Sequence, residues 1–281
     1  MVCTDQHGAA PAERPRSHAQ QRLTMPRSPS LLCLLSTLSY ALAEDKSVDN
    51  LAELKRRIKE EGLEEQIEMK PHFEDRRALL DARNEWCKNK EQAEKDYGPI
   101  NEWDVSRVTD FSFMFCSFPG MASRGCNPAC GNFNDNINDW DVSKAMSMEK
   151  IFFGTHGFNQ PLDKWDVSGV YNFDYAFWQC YDFNQPIGNW DVSKATSMQA
   201  TFDTATSFNQ DISAWDVSNL RKMDGFMDNI GNKLSECNRA KIHAAFSKKT
   251  EMWTCTTPYT CANKAGWGAR YSLASCPKEE V

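Results

Sequence analysis

The sequence predicts a repeat solenoid of short parallel strands and short helical turns, with a helical N-terminal cap and a disulfide-rich C-terminal cap. The first observation behind this prediction is the tetrapeptide Trp-Asp-Val-Ser, which occurs five times and starts at Trp103, Trp140, Trp165, Trp190 and Trp215. Apolar residues also recur at fixed positions between these tetrapeptides, which indicates units that bury their apolar faces only by stacking. Most of the cysteines cluster outside the regular repeats, as expected of segments held by disulfides.

Composition narrows the function classes before any motif is considered. The 281 residues are 41% apolar and 25% charged, and the net charge is −7. These values are ordinary for a soluble globular chain, and the negative charge argues against a nucleic-acid partner, which would require a basic face. We expect a monomer with no membrane span.

The first residues are typical of a secretory address. Residues 1–24 form a leader of uncertain status, because Met25 would make a more conventional start. Residues 25–43 predict a signal peptide: Arg27 precedes an apolar run over residues 31–42, which is too short to span a bilayer, and Ala41 and Ala43 suit cleavage. We therefore expect a secreted or cell-surface protein.

Two helical segments are predicted between the signal peptide and the repeats. Residues 44–76 carry leucine and isoleucine at intervals of three to five among many charges, which indicates a charged helical linker. A partner-binding coiled coil is the alternative for this stretch. Residues 77–99 place Leu79, Trp86 and Ala93 seven apart and end at Gly98-Pro99, which predicts a helical N-terminal cap.

The repeats occupy residues 100–233, with a 12-residue insertion near residues 116–132. The skeleton Ile187-x-x-Trp190-x-Val192 is that of a leucine-rich repeat, in which the alternating end is a strand that points Trp and Val inward. The spaced apolar residues that follow predict a short helical or 3₁₀ turn on the opposite side. A ladder of asparagines is expected to bond the backbone of adjacent coils at Asn134, Asn159, Asn184 and Asn209.

The cysteines predict disulfides within two groups. Cys180 replaces a small residue inside a repeat, so we expect it to be buried and unpaired. The remaining eight are Cys87, Cys116, Cys126 and Cys130 in one group, and Cys237, Cys255, Cys261 and Cys276 in the other. The pairing within each group stays open. A zinc site from Cys116, Cys126, Cys130 and His156 is an alternative for the first group.

Residues 234–281 are not repeat and predict a Cys-rich C-terminal cap, because the last unit of a solenoid must cover its apolar face. A separate recognition module is the alternative, and its contacts would be Trp253, Tyr259 and Trp267.

The repeat resembles that of the BspA-like surface proteins. The residues that carry the resemblance are Trp-Asp-Val-Ser, the spaced Met or Phe residues and Phe-Asn-Gln-x-Ile, over residues 97–233. The resemblance implies a leucine-rich-repeat-like extracellular or surface solenoid used in binding or adhesion. It brings no catalytic residues to this chain. Unlike the bacterial members, this chain has neither a lipid-attachment cysteine after its signal nor a cell-wall anchor, which leaves surface tethering open.

A row of aspartates is the main candidate binding feature on the outward face. Neighbouring strands would hold these carboxylates about 5 Å apart, which is destabilising unless something offsets the repulsion. The row consists of Asp104, Asp141, Asp166, Asp191 and Asp216. One interpretation is structural: each Asp accepts a backbone N–H two residues on, and Arg107, Lys144 and Lys194 supply countercharge. The other is a site for calcium or a cationic partner, formed with Ser143, Ser168 and Ser193, with calcium at Asp166 and Asp191.

Trp178 is the candidate contact residue, because neighbouring repeats have Phe153 and Asp203 at its position and it is expected to be exposed. No catalytic motif is present, and we expect no enzyme; hydrolysis by a pair such as Asp166 and Asp191 is the remaining enzymatic hypothesis. The sequence thus predicts an interaction or adhesion module that binds an extracellular protein or glycan through its outward face. A calcium-dependent structural or adhesive protein is the alternative, and no other cofactor is expected.

Overall fold

The computed structural model describes residues 20–23, 69–73, 75–231, 233–250 and Cys276, with only the backbone described for residues 20–23 and 69–71. Strand β1 (Gln20–Leu23) pairs antiparallel with β2 (Met69–His72). Two helices follow, α1 (Arg76–Lys88) and α2 (Lys90–Tyr97), then three 3₁₀ helices at Ile100–Glu102, Pro119–Arg124 and Pro128–Asn132. Helix α3 (Glu236–Lys249) comes after the repeats.

The N-terminal helices cover the first repeat. Asp75 caps α1 by accepting a hydrogen bond from the Ala78 N–H at 2.9 Å, and Asn89 caps α2 in the same way from Gln92. The segment predicted as one helix over 77–99 is therefore two helices that meet at Asn89. Trp86 of α1 packs edge-on against Trp103, so the buried face of α1 joins the core of the repeats.

The repeats form a stack of coils that share one core. We call residues 103–231 the coil stack, and its first to fifth coils begin at the five repeated tryptophans. All five tryptophans are buried, and from Trp140 onward each indole N–H donates to the backbone carbonyl of the residue three positions before the preceding repeated tryptophan. Phenylalanine rings also stack from coil to coil at centroid distances between 5.3 and 6.1 Å. The core is thus a set of aromatic columns parallel to the stack axis.

The predicted fold class is wrong in its secondary structure. The two described strands, β1 and β2, lie outside the coil stack, and the strand-like pairing within the described coils is limited to isolated parallel bridges, one for each neighbouring pair. The leucine-rich-repeat solenoid of parallel strands is therefore not the architecture of this chain. The Trp-Asp-Val stretch does not form a strand because its backbone bonds close local turns: the Trp190 N–H bonds the Ile187 carbonyl three residues back, and the Ala195 N–H bonds the Val192 carbonyl.

The backbone ladder between coils lies on the side where the sequence predicted helical turns. Each neighbouring pair of coils shares four hydrogen bonds there, from alternate N–H groups of one coil to carbonyls of the next; in the third coil the donors are Phe173, Tyr175, Phe177 and Gln179. The intervening N–H groups bond three residues back, as Ala176 does to Phe173. The segment consists of successive turns because it contains left-handed residues, which a right-handed helix excludes: Lys150, Tyr175 and Ala200 have φ of 54°, 57° and 48°.

The asparagine ladder is confirmed. The side-chain oxygen of each Asn accepts the backbone N–H of the next Asn along the stack, at 2.9 Å for Asn134 and Asn159 and 2.8 Å for Asn184. The last member, Asn209, accepts from Ser235 at the start of the segment that leads into α3. The ladder therefore ties the first four coils to one another and ties the fourth coil to the segment that leads into α3.

Helix α3 lies across the end of the coil stack. Ser235 caps it by accepting from the Asn238 N–H, and Phe246 contacts Phe226 of the last coil at 6.3 Å between centroids. Lys249 donates to the Trp215 carbonyl at 2.8 Å. These contacts cover part of the apolar end of the last coil, and a disulfide joins Cys237 of α3 to Cys276.

Several predictions fall outside the described residues: the signal peptide over 25–43, the linker over 44–68, Cys255 and Cys261, and the contacts proposed for Trp253, Tyr259 and Trp267. Cleavage after Ala43 would separate β1 from β2. Among the helices of the described residues, none combines the length and the apolar character that crossing a bilayer requires.

Candidate interaction surface

Trp178 lies half-buried on the ladder side of the coil stack, so it is less exposed than the sequence predicted. One face of its indole stacks on Phe153 of the previous coil, at 4.3 Å between centroids and 14° between planes. Its N–H donates to the Asp203 carboxylate of the next coil at 3.3 Å. A stacked aromatic pair is worth about 0.5–1.5 kcal/mol beyond the area it buries, so these contacts fix the ring in one orientation.

The insertion places a second aromatic side chain beside Trp178. Phe118 is 39% exposed and meets both Phe153 and Trp178 edge-on, at 5.5 and 6.1 Å. The Cys116–Cys126 disulfide closes the insertion around it, and the Asn127 N–H bonds the Cys116 carbonyl at 2.7 Å. The loop is therefore held against the coils in a defined position.

Together these residues form a small aromatic surface that is separate from the main core. It packs on the Cys116–Cys126 disulfide, and its buried members are these two cysteines and Phe153. We call it the Trp178 patch, and it comprises Phe113, Phe118, Met121, Phe153, Tyr175 and Trp178. The sequence singled out only Trp178. The repeat period could have indicated Phe113 and Tyr175, which occupy the same position ten residues after a repeated tryptophan.

Lys150 lies between two rings of the patch. Its ammonium is 5.3 Å from the Phe113 ring centroid and 4.6 Å from that of Tyr175, and it forms an ion pair with Glu149. A cation held over aromatic faces and beside a carboxylate is a stable arrangement, because the negative π face and the carboxylate both attract it. The patch thus already binds one cation of this chain.

The aspartate row makes the turn contacts of the structural interpretation. The carboxylate of each Asp accepts the backbone N–H of the Ser two residues on, at 3.0 or 3.1 Å, in Asp104, Asp141, Asp166, Asp191 and Asp216. The serine hydroxyl and backbone N–H lower the pKa of Asp166, Asp191 and Asp216, and Lys194 lowers the first two further. Ser143 also donates its hydroxyl to Asp141 at 2.6 Å.

Asp104 differs from the other four because it also contacts the N-terminal segment. Its carboxylate lies 2.7 Å from Nδ1 of the buried His72. Burial acts to raise the pKa of Asp104, but hydrogen bonds from Ser106 and His72 outweigh it and the pKa is lowered. Ser168 and Ser193 contact the aspartates of their own coils, so each of these carboxylates is held within its own turn.

The zinc alternative is wrong, because its cysteines are used elsewhere. Cys87 bonds Cys130 and Cys116 bonds Cys126, whereas Cys180 is buried with a free thiol, and burial raises its pKa well above the usual value. The part of the chain that the structure describes has no cluster of three or more histidine, cysteine or acidic side chains arranged to hold a metal ion.

Comparisons with known proteins give one family. No curated protein and no solved structure matches the chain. The family described as "Mycoplasma protein of unknown function, DUF285" matches residues 88–167 and residues 121–239. The two matches overlap. Together they run from the last residue of α1 through α2 and the whole coil stack to the start of α3, which is more than half of the sequence. The chain therefore belongs to the DUF285 family.

Proposed function

We propose that this chain is an extracellular interaction module that binds another macromolecule through the Trp178 patch. The observation that carries the proposal is the partly exposed aromatic surface formed where the insertion meets the second and third coils. Exposed clusters of large apolar side chains mark interaction sites on soluble proteins, and tryptophan and tyrosine are enriched among the residues that dominate binding energy.

The patch is suited to binding because it is rigid before a partner arrives. Phe153 and Asp203 hold the indole of Trp178, and a disulfide fixes the loop that carries Phe118. Ordering a side chain on binding costs about 0.5–1.5 kcal/mol, and side chains that are already ordered avoid most of that cost. The rest of the stack serves as a scaffold that presents these groups.

An extracellular location is part of the proposal. The disulfides of the described residues fit an oxidising compartment, and the signal peptide predicted over residues 25–43 would deliver the chain there. The likeness of the repeat to BspA-like surface proteins agrees with a role in adhesion. The partner is then a protein or glycan outside the cell.

The experiment measures binding of the oxidised full chain to a panel of immobilised extracellular proteins and polysaccharides. We expect at least one member to bind, and Trp178→Ala and Phe118→Ala to weaken that binding at least about tenfold, as expected for central contact residues. Tyr171→Ala is the matched control, because Tyr171 is 45% exposed but lies outside the patch. Binding that Tyr171→Ala weakens as much as Trp178→Ala, or no binding to any panel member, would contradict the proposal.

A further inference from the structure

The surface beside Trp178 carries more negative charge than its own cations balance. Asp174, Asp203 and Asp224 lie on the third, fourth and fifth coils, on the same side of the stack as Trp178. Burial and then the charges of Asp174, Asp203, Glu149 and Asp224 raise the pKa of Tyr175. We call Asp174, Asp203 and Asp224 the acidic rim of the patch.

Neutral groups hold two of the three rim carboxylates. Asp174 accepts from the Ser197 hydroxyl and the Gln199 N–H, and Asp203 accepts from Trp178, Thr204 and Asn229. Among the described residues of this face, Lys150 pairs with Glu149, and the exposed Lys222 lies in the ladder two residues before Asp224 but forms no ion pair with the rim. The rim therefore keeps its negative charge at the surface.

Asp224 has an acceptor that the described part of the chain leaves unused. Its Oδ1 is buried and has no hydrogen-bond partner. A buried carboxylate oxygen without a donor costs free energy, so the negative charge of Asp224 is not offset by a hydrogen bond at this atom.

Lys150 shows which chemistry this surface accepts. Its ammonium sits on the faces of Phe113 and Tyr175 with Glu149 alongside. Trp178 and Asp203 place a second aromatic ring beside a second carboxylate, and no lysine or arginine of the described residues pairs with that carboxylate. A positively charged side chain of a partner would lie beside Trp178 and Asp203 as Lys150 lies beside Tyr175 and Glu149.

We propose that the Trp178 patch and its acidic rim dock an arginine-bearing basic segment of a partner protein, with a guanidinium against Trp178 and Asp203 and further cations near Asp174 and Asp224. This inference rests on the proposed function and names the partner class. Arginine fits better than lysine because its planar guanidinium both stacks on an aromatic ring and donates two parallel hydrogen bonds to a carboxylate. The net charge of −7 attracts such a segment during encounter.

The test is a titration of the oxidised full chain with a short peptide of alternating arginine and glycine, followed by calorimetry. We expect the peptide to bind, and a peptide of the same length with glutamate in place of arginine not to bind. The affinity should fall as salt is raised, because exposed charges are screened. Asp203→Asn and Trp178→Leu should each weaken binding about five- to tenfold, the range expected for losing one charge pair or one cation–π contact.

Asp191→Asn is the matched control, because it removes the same charge from an exposed aspartate of the serine turns rather than from the rim. If Asp191→Asn weakens peptide binding as much as Asp203→Asn, the attraction is general charge and the inference is overturned. Sedimentation on the same samples examines a second copy as the occupant: an oligomer that Asp203→Asn dissociates would also overturn it.

Failure of this inference is separable from failure of the proposed function. Suppose that the arginine peptide does not bind, while an uncharged glycan or neutral protein of the panel binds in a Trp178-dependent way. This result overturns only the inference that the partner is basic. Absence of both kinds of binding overturns both proposals.

Discussion

At the scale of single residues, side-chain hydrogen bonds inside turns and between coils hold the outward face of the stack. Asp166, Asp191 and Asp216 accept hydrogen bonds from the serines of their own turns, which lowers the pKa of these three carboxyl groups. Each of these carboxylates is therefore stabilised by donors of its own turn. Each Asn of the ladder also accepts a backbone N–H with its side chain, but from the next Asn along the stack rather than from its own turn.

These aspartates give the chain a defined dependence of stability on pH. Because their pKa values are lower in the folded chain than in the unfolded chain, they add stability above about pH 4, and that contribution is lost as the pH falls through the folded values. Changing Asp166, Asp191 and Asp216 together to Asn should lower the free energy of unfolding at neutral pH. It should also flatten the loss of stability between about pH 5 and about pH 2.

Urea unfolding at several pH values measures this effect. Asp182→Asn is the control, because the Asp182 side chain is exposed and has no hydrogen bond among the described residues. A triple variant whose stability falls with acid as steeply as that of the parent chain would show that the turn bonds do not favour the ionised carboxylates.

At the scale of elements, the coil is defined by turns with left-handed residues rather than by a strand and a helix. Alternate N–H groups on the ladder side all point toward the next coil, and the others close turns within their own coil. The arrangement uses the backbone groups of Phe173 to Gln179 without a regular helix or strand. This arrangement has an energetic cost, because each coil holds residues with positive φ at fixed positions.

Gly154 tests that cost directly. Its φ is 73°, and a Cβ built on it would lie 3.0 Å from the Ser117 hydroxyl oxygen, whose hydrogen bond goes to the Gly154 carbonyl. Gly154→Ala should therefore destabilise the chain by about 1–2 kcal/mol, the usual cost of a left-handed conformation for an alanine, plus the steric contact. Chemical denaturation measures it.

Gly131→Ala is the control for this change. Gly131 has no positive φ, and its built Cβ meets nothing closer than 3.8 Å, so the substitution should have little effect. Equal destabilisation by the two substitutions would contradict the left-handed turn geometry of the ladder.

At the scale of the whole molecule, the sequence predicted the columns of buried tryptophans and ladder asparagines. It did not predict that the backbone hydrogen bonds between coils lie on the side of the turns. Inward tryptophans and the Asn134 to Asn209 ladder follow from period alone, because each side chain recurs at a fixed place and needs a partner in the next copy. The turns on the ladder side cannot be predicted from the period. Lys150, Tyr175, Ala200 and Gly225 occupy the same position of successive repeats and have positive φ, but only Gly225 is a residue type that suggests it. The Trp178 patch was predicted in part: Phe118 belongs to an insertion without period, so no pattern places it beside Trp178.

The measurement that tests the central account most directly is the indole N–H spectrum of the full chain by NMR, recorded while the arginine–glycine peptide is added. The Trp178 resonance is assigned by its loss in Trp178→Phe. The account predicts that this resonance shifts, because the Trp178 N–H donates to Asp203 at the proposed docking site, while those of the five buried repeat tryptophans stay in place. A Trp178 resonance that stays fixed while the peptide binds, or shifts confined to other tryptophans, would contradict it.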